Sequence, residues 1–187
     1  MITEILKKNT AKYHDEIEQK LASNKLFEGT FNQDNYFKML NVNYQFIQAL
    51  EPQIKGLLSD QDLDFLNQIN LNKLELLEKD LAELNLKISS PVEIELLKNR
   101  EEALGALYVI EGSMLGGMVI AKQLKKYPEL EQAGFNYFGH YGQDIGSIWK
   151  SFVVYLNENL VTEDQQKNTL NGAIKAYQFL ISLADRN

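Results

Sequence analysis

The chain has 187 residues, 44% of them hydrophobic, and a net charge of -7 at pH 7. Its length and apolar content predict one domain over residues 1–187 with a sizeable core, while the lack of cysteine excludes disulfides and thiolate chemistry. The acidic balance disfavours a nucleic-acid partner, and neither a signal peptide nor a membrane span is recognisable, so we expect a cytoplasmic protein that binds neither nucleic acid nor membranes.

Apolar side chains recur at three- and four-residue steps through most of the chain, which predicts a succession of helices. The predicted helices cover residues 2–22, 34 to about 50, 59–85, 89–127 with an interruption near 99, a short segment to 132, and two more that begin at 147 and 162. Pro52 predicts a kink or break after the second helix, and Ser89-Ser90-Pro91 predicts the start of the fourth. About seven or eight helices without a persuasive strand indicate an all-α helical bundle.

The predicted helix over residues 103–124 contains four glycines, Gly105, Gly112, Gly116 and Gly117. Each glycine inside a helix costs about 1 kcal/mol relative to alanine, so the last three together cost roughly 3 kcal/mol. Gly112 and Gly116 share one face, which leaves the backbone bare over one turn. Two interpretations stay open: a neighbouring helix packs closely on this face, or a flat ligand lies on it.

Histidine occurs at two positions, His14 and His140. His14 lies on the first helix, with Lys7 two turns before it and Glu18 one turn after it on nearly the same line. Taken alone, it is either a hydrogen-bonded core residue or a ligand. His140 lies in a loop over residues 134–146 that is rich in glycine and aromatic residues, where the pattern favours a role in bracing the loop.

Two common catalytic arrangements are not supported by the sequence. It contains no Gly-x-Ser-x-Gly turn for Ser/His/Asp catalysis and no Glu-x-x-His pair for a carboxylate di-iron bundle. One histidine facing a bare glycine backbone remains. A haem requires this arrangement, because the iron needs a nitrogen ligand on one side and the porphyrin needs a close approach on the other.

Two motifs carry a family resemblance. The first is Leu-Lys-x-x-Thr-x-x-x-His-x-x-x-Glu over residues 6–18, and the second is Leu-Tyr-Val-Ile-Glu-Gly-Ser-x-Leu-Gly-Gly over residues 107–117. In these motifs the chain resembles the biliverdin-producing haem oxygenases of bacterial type. The segment 138–149 and the last helix are also similar, so the resemblance spans nearly the whole chain and implies a haem-oxygenase-like bundle.

The resemblance implies a role for each matching residue. His14 is the proximal iron ligand, Glu18 fixes its imidazole, and Lys7 faces a propionate. Gly112 and Gly116 cover the distal face of the haem. Further haem contacts are implied for Tyr108, Gly117 and Phe138, although Phe138 and Tyr141 equally serve to anchor their loop.

Ser113 departs from the pattern of the mammalian-type members, which carry an aspartate immediately after the first distal glycine. That aspartate holds the water that protonates bound oxygen. Here the resemblance therefore assigns proton delivery to water held by backbone carbonyls, by Ser113 or by a more distant side chain.

The implied activity is the oxidative opening of haem to biliverdin, carbon monoxide and ferrous iron, with electrons from a ferredoxin or a flavoprotein reductase. Haem is then both the substrate and the oxygen-activating cofactor. One alternative is a non-catalytic haem carrier or sensor, which the missing aspartate keeps open. A weaker alternative is a helical enzyme such as a thiamin-breakdown hydrolase, which needs a cysteine or carboxylate nucleophile, and the chain has no cysteine.

Overall fold

The computed structural model describes residues 1–66, 69–130 and 133–187. Within these ranges the chain forms nine α-helices and no strand, which confirms the all-α prediction. The helices are α1 (Ile2–Lys20), α2 (Lys25–Glu28), α3 (Gln33–Leu57), α4 (Asp60–Phe65), α5 (Lys73–Glu83), α6 (Arg100–Leu124), α7 (Asn136–Gly139), α8 (Ile145–Asn159) and α9 (Glu163–Arg186). Two short 3-10 turns lie at Pro128–Leu130 and Gly142–Asp144.

The core is built around α6, which packs against α3, α7, α8 and, most extensively, α9. Its crossing with α9 depends on two glycines. A Cβ on Gly105 would lie 2.0 Å from the carbonyl oxygen of Thr169, and one on Gly172 would lie 2.1 Å from that of Glu102. Only glycine permits the two backbones to touch in this way. Gly105 therefore serves helix packing.

Among the described helices, α6 alone is long and apolar enough to cross a membrane by length and composition. However, 56% of its most apolar stretch is buried inside the fold, as expected of a core helix. The helix α1 packs on α9 and α8, while α3 packs on α5, α6 and α9.

The fourth predicted helix is wrong in its first part, because residues 86–98 are not helical. The side chain of Gln53 on α3 explains the difference. Its amide donates to the carbonyl of Ile94 at 2.8 Å and accepts from the backbone N–H groups of Leu96 and Leu97 at 2.9 and 3.1 Å. A partner distant in sequence thus replaces the intrahelical bonds, and α6 begins after Asn99, whose side chain accepts from the N–H of Glu102 at 2.9 Å.

Of the kink or break predicted at Pro52, the break is wrong, because α3 continues through it to Leu57. Pro52 is exposed, whereas Leu50 and Ile54 beside it are buried, so core packing maintains the helix despite the missing hydrogen bond.

Other boundaries differ by less. The cap of α3 is Asn32, not Asp34, and α8 begins at Ile145 before the predicted Ser147. The third predicted helix is two helices, α4 and α5, and the short segment predicted to reach Gln132 ends outside the described residues. The cap predicted at Thr162 is confirmed, since its hydroxyl accepts from the N–H of Gln165 at 3.2 Å.

Candidate functional site

A cavity of about 530 Å³ opens between α1, α3, α6 and α9, with side chains from α2 and α7 in its wall. Its volume falls within the range of roughly 300–1,000 Å³ that is typical of ligand and cofactor pockets. Most of the wall is apolar. The apolar side chains are Ile17, Leu21, Phe27, Met39, Phe46, Val109, Val119, Ile120, Phe138 and Leu180.

His14 lies on the α1 side of this cavity, where its side chain is 53% exposed. It is therefore not a buried core residue. Its Nδ1 lies 3.7 Å from Oε2 of Glu18 and 4.0 Å from Oδ1 of Asp15. Carboxylates beside Nδ1 favour the tautomer with the proton on that nitrogen, which leaves Nε2 as the nitrogen that can ligate a metal.

The glycines of α6 divide between packing and the cavity. Gly116 lines the cavity, and a Cβ placed on it meets nothing within 4 Å. Gly112 also lines it, with Trp149 at an ordinary contact distance of 3.5 Å. Gly117, by contrast, packs against α7, because a Cβ there would lie 2.6 Å from the carbonyl oxygen of Phe138. Close packing therefore explains Gly105 and Gly117, whereas the face of Gly112 and Gly116 borders the cavity, where a ligand remains a prediction.

A polar group lies in the cavity wall where α3, α6 and α7 meet. Asn43 and Ser113 both line the cavity. The Nδ2 of Asn43 donates to the carbonyl of Met39 at 2.8 Å, and its Oδ1 lies 3.4 Å from the hydroxyl of the buried Tyr137. The hydroxyl of Ser113 donates to the carbonyl of Ile110 at 2.7 Å. This group gives an otherwise apolar wall a hydrogen-bonding point.

Comparison with known proteins identifies the family. The family model described as Heme oxygenase matches residues 1–186. The chain belongs to the haem oxygenase family. Among solved structures, the NO- and CO-bound haem oxygenase from Neisseria meningitidis is 25% identical, with a TM-score of 0.76 over 100% of this chain and 91% of that chain. None of the curated proteins compared with the chain matches it.

Membership makes this chain part of an enzyme family that binds haem as its substrate. The residues of the cavity fit such a molecule. The apolar wall suits a porphyrin, His14 offers a ring nitrogen, and the open space at Gly116 is a place that any side chain would fill.

The predicted haem oxygenase site residues fall into two sets. The cavity is lined by His14, Glu18, Gly112, Ser113, Gly116 and Phe138. The other three lie outside its wall. Lys7 is exposed on α1, the ring of Tyr108 packs on Trp149 with the centroids 5.2 Å apart, and Gly117 lies against Phe138.

A buried ion pair anchors α6 immediately before Gly112. The Nζ of Lys73 lies 2.5 Å from Oε1 of Glu111, and both side chains are almost completely buried. The hydroxyl of Tyr141 donates to Oε2 of Glu111 at 2.9 Å, and Lys73 donates to the carbonyl of Asn70 at 2.7 Å. Burial lowers the pKa of Lys73 and raises that of Tyr141. The cluster lies outside the cavity wall and ties α6 to the start of α5.

His140 and Tyr141 brace their loop and do not line the cavity. The Nδ1 of His140 lies 2.9 Å from the carbonyl oxygen of Tyr137, and its ring packs on that of Tyr141 with the centroids 3.7 Å apart. Burial lowers the pKa of His140. The N–H of Asn70 donates to the Tyr141 hydroxyl at 3.1 Å.

Sequence reasoning missed Asn43, Tyr137 and the Lys73–Glu111 pair. One signal was available for Asn43, since an amide on an apolar helix face between Met39 and Phe46 is a buried polar group that needs an explanation. No local pattern indicates the ion pair, because its members lie 38 residues apart.

Proposed function

We propose that the chain catalyses the oxidative cleavage of haem to biliverdin, carbon monoxide and ferrous iron, with electrons from an external ferredoxin or flavoprotein reductase. One observation carries the proposal: His14 on α1 and Gly116 on α6 line the same cavity, and a Cβ added to Gly116 would meet no atom within 4 Å. When bound, haem supplies both the iron that activates oxygen and the ring that is opened.

The residues on the α1 side bind and orient the haem in this proposal. His14 would provide Nε2 to the iron, and the Glu18 carboxylate, 3.7 Å from Nδ1, would orient the ring. Lys7, two helical turns or about 11 Å before His14, provides a cation for a propionate at the haem edge. Its exposed position suits a carboxylate that reaches solvent.

The residues on the α6 side shape the space above the ring. Gly112 and Gly116 permit a planar molecule to touch the helix backbone, and the aromatic ring of Phe138 excludes water from the wall. Gly117 acts indirectly, because it lets the backbone of Phe138 approach α6. Tyr108 supports this wall from behind through its contact with Trp149. The hydroxyl oxygen of Ser113 can accept a hydrogen bond from water, since its proton is donated to Ile110.

The test is an optical titration of the purified protein with haemin, followed by ascorbate or reduced ferredoxin in air with catalase present. Loss of the Soret band together with growth of the biliverdin band supports the oxygenase. A titration without any Soret change contradicts the proposal, because no haem is then bound.

One observation favours a second candidate, a haem carrier or sensor. The position after the first distal glycine is Ser113, whose proton is already bonded to the backbone, and not a carboxylate that could hold a proton-donating water. A Soret band that forms in the titration and persists under reducing conditions in air would support this candidate. We propose a cytoplasmic location for either activity.

A further inference from the structure

Asn43 is a buried amide in the cavity wall, and its role is not explained by packing. It is 8% exposed and lies on α3 between Met39 and Phe46, which line the same wall. A buried amide costs free energy unless its donors and acceptor find partners. The partners of each amide atom therefore show what Asn43 can still bind.

The contacts of the amide fix its orientation. The carbonyl oxygen of Met39 can only accept, so the amide atom 2.8 Å from it is the donor Nδ2. Oδ1 then faces the hydroxyl of Tyr137 at 3.4 Å. The Nδ2 group has two hydrogens, and among the described residues Met39 provides the acceptor for one of them. No described residue accepts the second hydrogen, and Asn43 lines the cavity.

This free donor lies on the α6 side of the cavity. Tyr137 precedes Phe138, whose carbonyl oxygen packs against Gly117 of α6. Ser113 of α6 lines the same part of the wall, but its hydroxyl proton is donated to the backbone at 2.7 Å. Burial, and then the charge of Glu111, raise the pKa of Tyr137, although a hydrogen bond with Ser113 lowers it. The Tyr137 hydroxyl donates to Oδ1 of Asn43 at 3.4 Å. Of Asn43 and Ser113, Asn43 is therefore the side chain with a hydrogen that no described residue accepts.

We propose that the Asn43 amide donates a hydrogen bond to a small molecule or anion bound on the α6 side of a haem in this cavity. Tyr137 is the positioning residue, because its hydroxyl holds Oδ1 and so aims the second amide hydrogen into the cavity. The inference rests on the proposed function, since it requires haem bound between His14 and Gly116.

The experiment compares the haem-loaded wild-type protein with Asn43→Leu, which keeps the side-chain size and removes the donor. Two probes report on the site: the infrared C–O stretch of the ferrous carbon monoxide complex, and the affinity of the ferric complex for azide. A donor near the ligand polarises bound carbon monoxide, so Asn43→Leu should raise the stretching frequency. A hydrogen bond to an anion is among the stronger kinds, so azide should bind about tenfold or more weakly.

Asn41→Leu is the matched control, because Asn41 lies on the same helix outside the cavity, bonded to Asn187 and Ser89. It should leave both readouts unchanged. Tyr137→Phe should move both readouts in the same direction as Asn43→Leu but less, since the amide stays and only its orientation is released. A purely structural role of Asn43 would change the stability and leave the C–O frequency unchanged.

The outcomes separate this inference from the proposed function. If the wild type forms biliverdin while a folded Asn43→Leu keeps the wild-type frequency and azide affinity, the inference is wrong and the proposed function stands. If the wild type binds no haem, both are wrong. If Asn43→Leu fails to fold, Tyr137→Phe decides, and an unchanged frequency in that variant overturns the inference.

Discussion

Gly116 and Gly117 are adjacent on α6, yet the structure predicts opposite effects when each becomes alanine. Gly116→Ala places a methyl group in open space, so the gain in helix propensity should raise the free energy of unfolding of the haem-free protein by about 1 kcal/mol. Gly117→Ala places its methyl 2.6 Å from a backbone oxygen and 3.4 Å from Cα of Phe138. Overpacking costs about 1–3 kcal/mol and exceeds the propensity gain, so this variant should lose up to about 2 kcal/mol.

Haem affinity should fall in Gly116→Ala, the variant that is expected to gain stability. If the porphyrin lies on the bare backbone, the methyl of Gly116→Ala occupies its space, and haem affinity should fall about tenfold for an overpacking cost near 1.4 kcal/mol. Urea denaturation of the haem-free protein gives the stabilities, and Soret titration gives the affinities. Gly56→Ala is the control, because Gly56 also has open space at its Cβ position but lies on α3 away from the cavity. It should gain stability without losing haem affinity.

Equal changes in the stability of Gly116→Ala and Gly117→Ala would contradict the first prediction. Equally tight haem binding by Gly116→Ala and Gly56→Ala would contradict the second. The first result would mean that α7 does not touch α6 at Gly117, and the second that no ligand lies on Gly116.

Three further predictions follow from single contacts. His14→Ala should abolish turnover. Because the side chain is exposed, the free energy of unfolding should change by less than about 0.5 kcal/mol. Unchanged activity with an unchanged iron spectrum would contradict the role of His14 as the ligand. Burial opposes the ionisation of Asp62, but bonds from Arg100 and two hydroxyls outweigh it and lower its pKa to about 2. Its contribution of about 2 kcal/mol is therefore complete above pH 4 and is lost as the pH falls towards 2; urea denaturation across this range should show the loss in the wild type and not in Asp62→Asn. Lys73→Met or Glu111→Leu alone should cost about 3–5 kcal/mol, because each leaves a buried charge without its partner, whereas the two changes combined should recover much of it. Additive losses in the double variant would show that the two side chains do not interact.

Local patterns were sufficient to predict most of the helices and the two sides of the site. The period of apolar residues predicted α1, α6 and α9, and the motif around His14 matched a family that the full-length comparison confirms. These features depend on residues within a few turns of one another. The glycine-bearing stretch stood out because its cost in helix propensity required a local explanation.

The errors came from partners distant in sequence. Ser89-Ser90-Pro91 is a valid local signal for a helix start, but Gln53 of α3 holds residues 94–97 in a non-helical form through three hydrogen bonds. The same limit hid the role of Gly105, whose backbone meets Thr169 on α9. Spacing along α6 showed that four glycines need a reason and did not show which reason applies to which glycine.

The order of residues on α6 explains how one helix tolerates this composition. Glu111 is tied by the buried Lys73 immediately before the first cavity glycine, and Gly117 is held by the backbone of Phe138 immediately after the last. The cost of Gly112, Gly116 and Gly117 is therefore confined to about one and a half turns, between two points that packing fixes. A ligand over Gly116 meets a backbone that is bare but held at both ends, so any adjustment of α6 to a haem is expected within residues 112–116 and not along the whole helix.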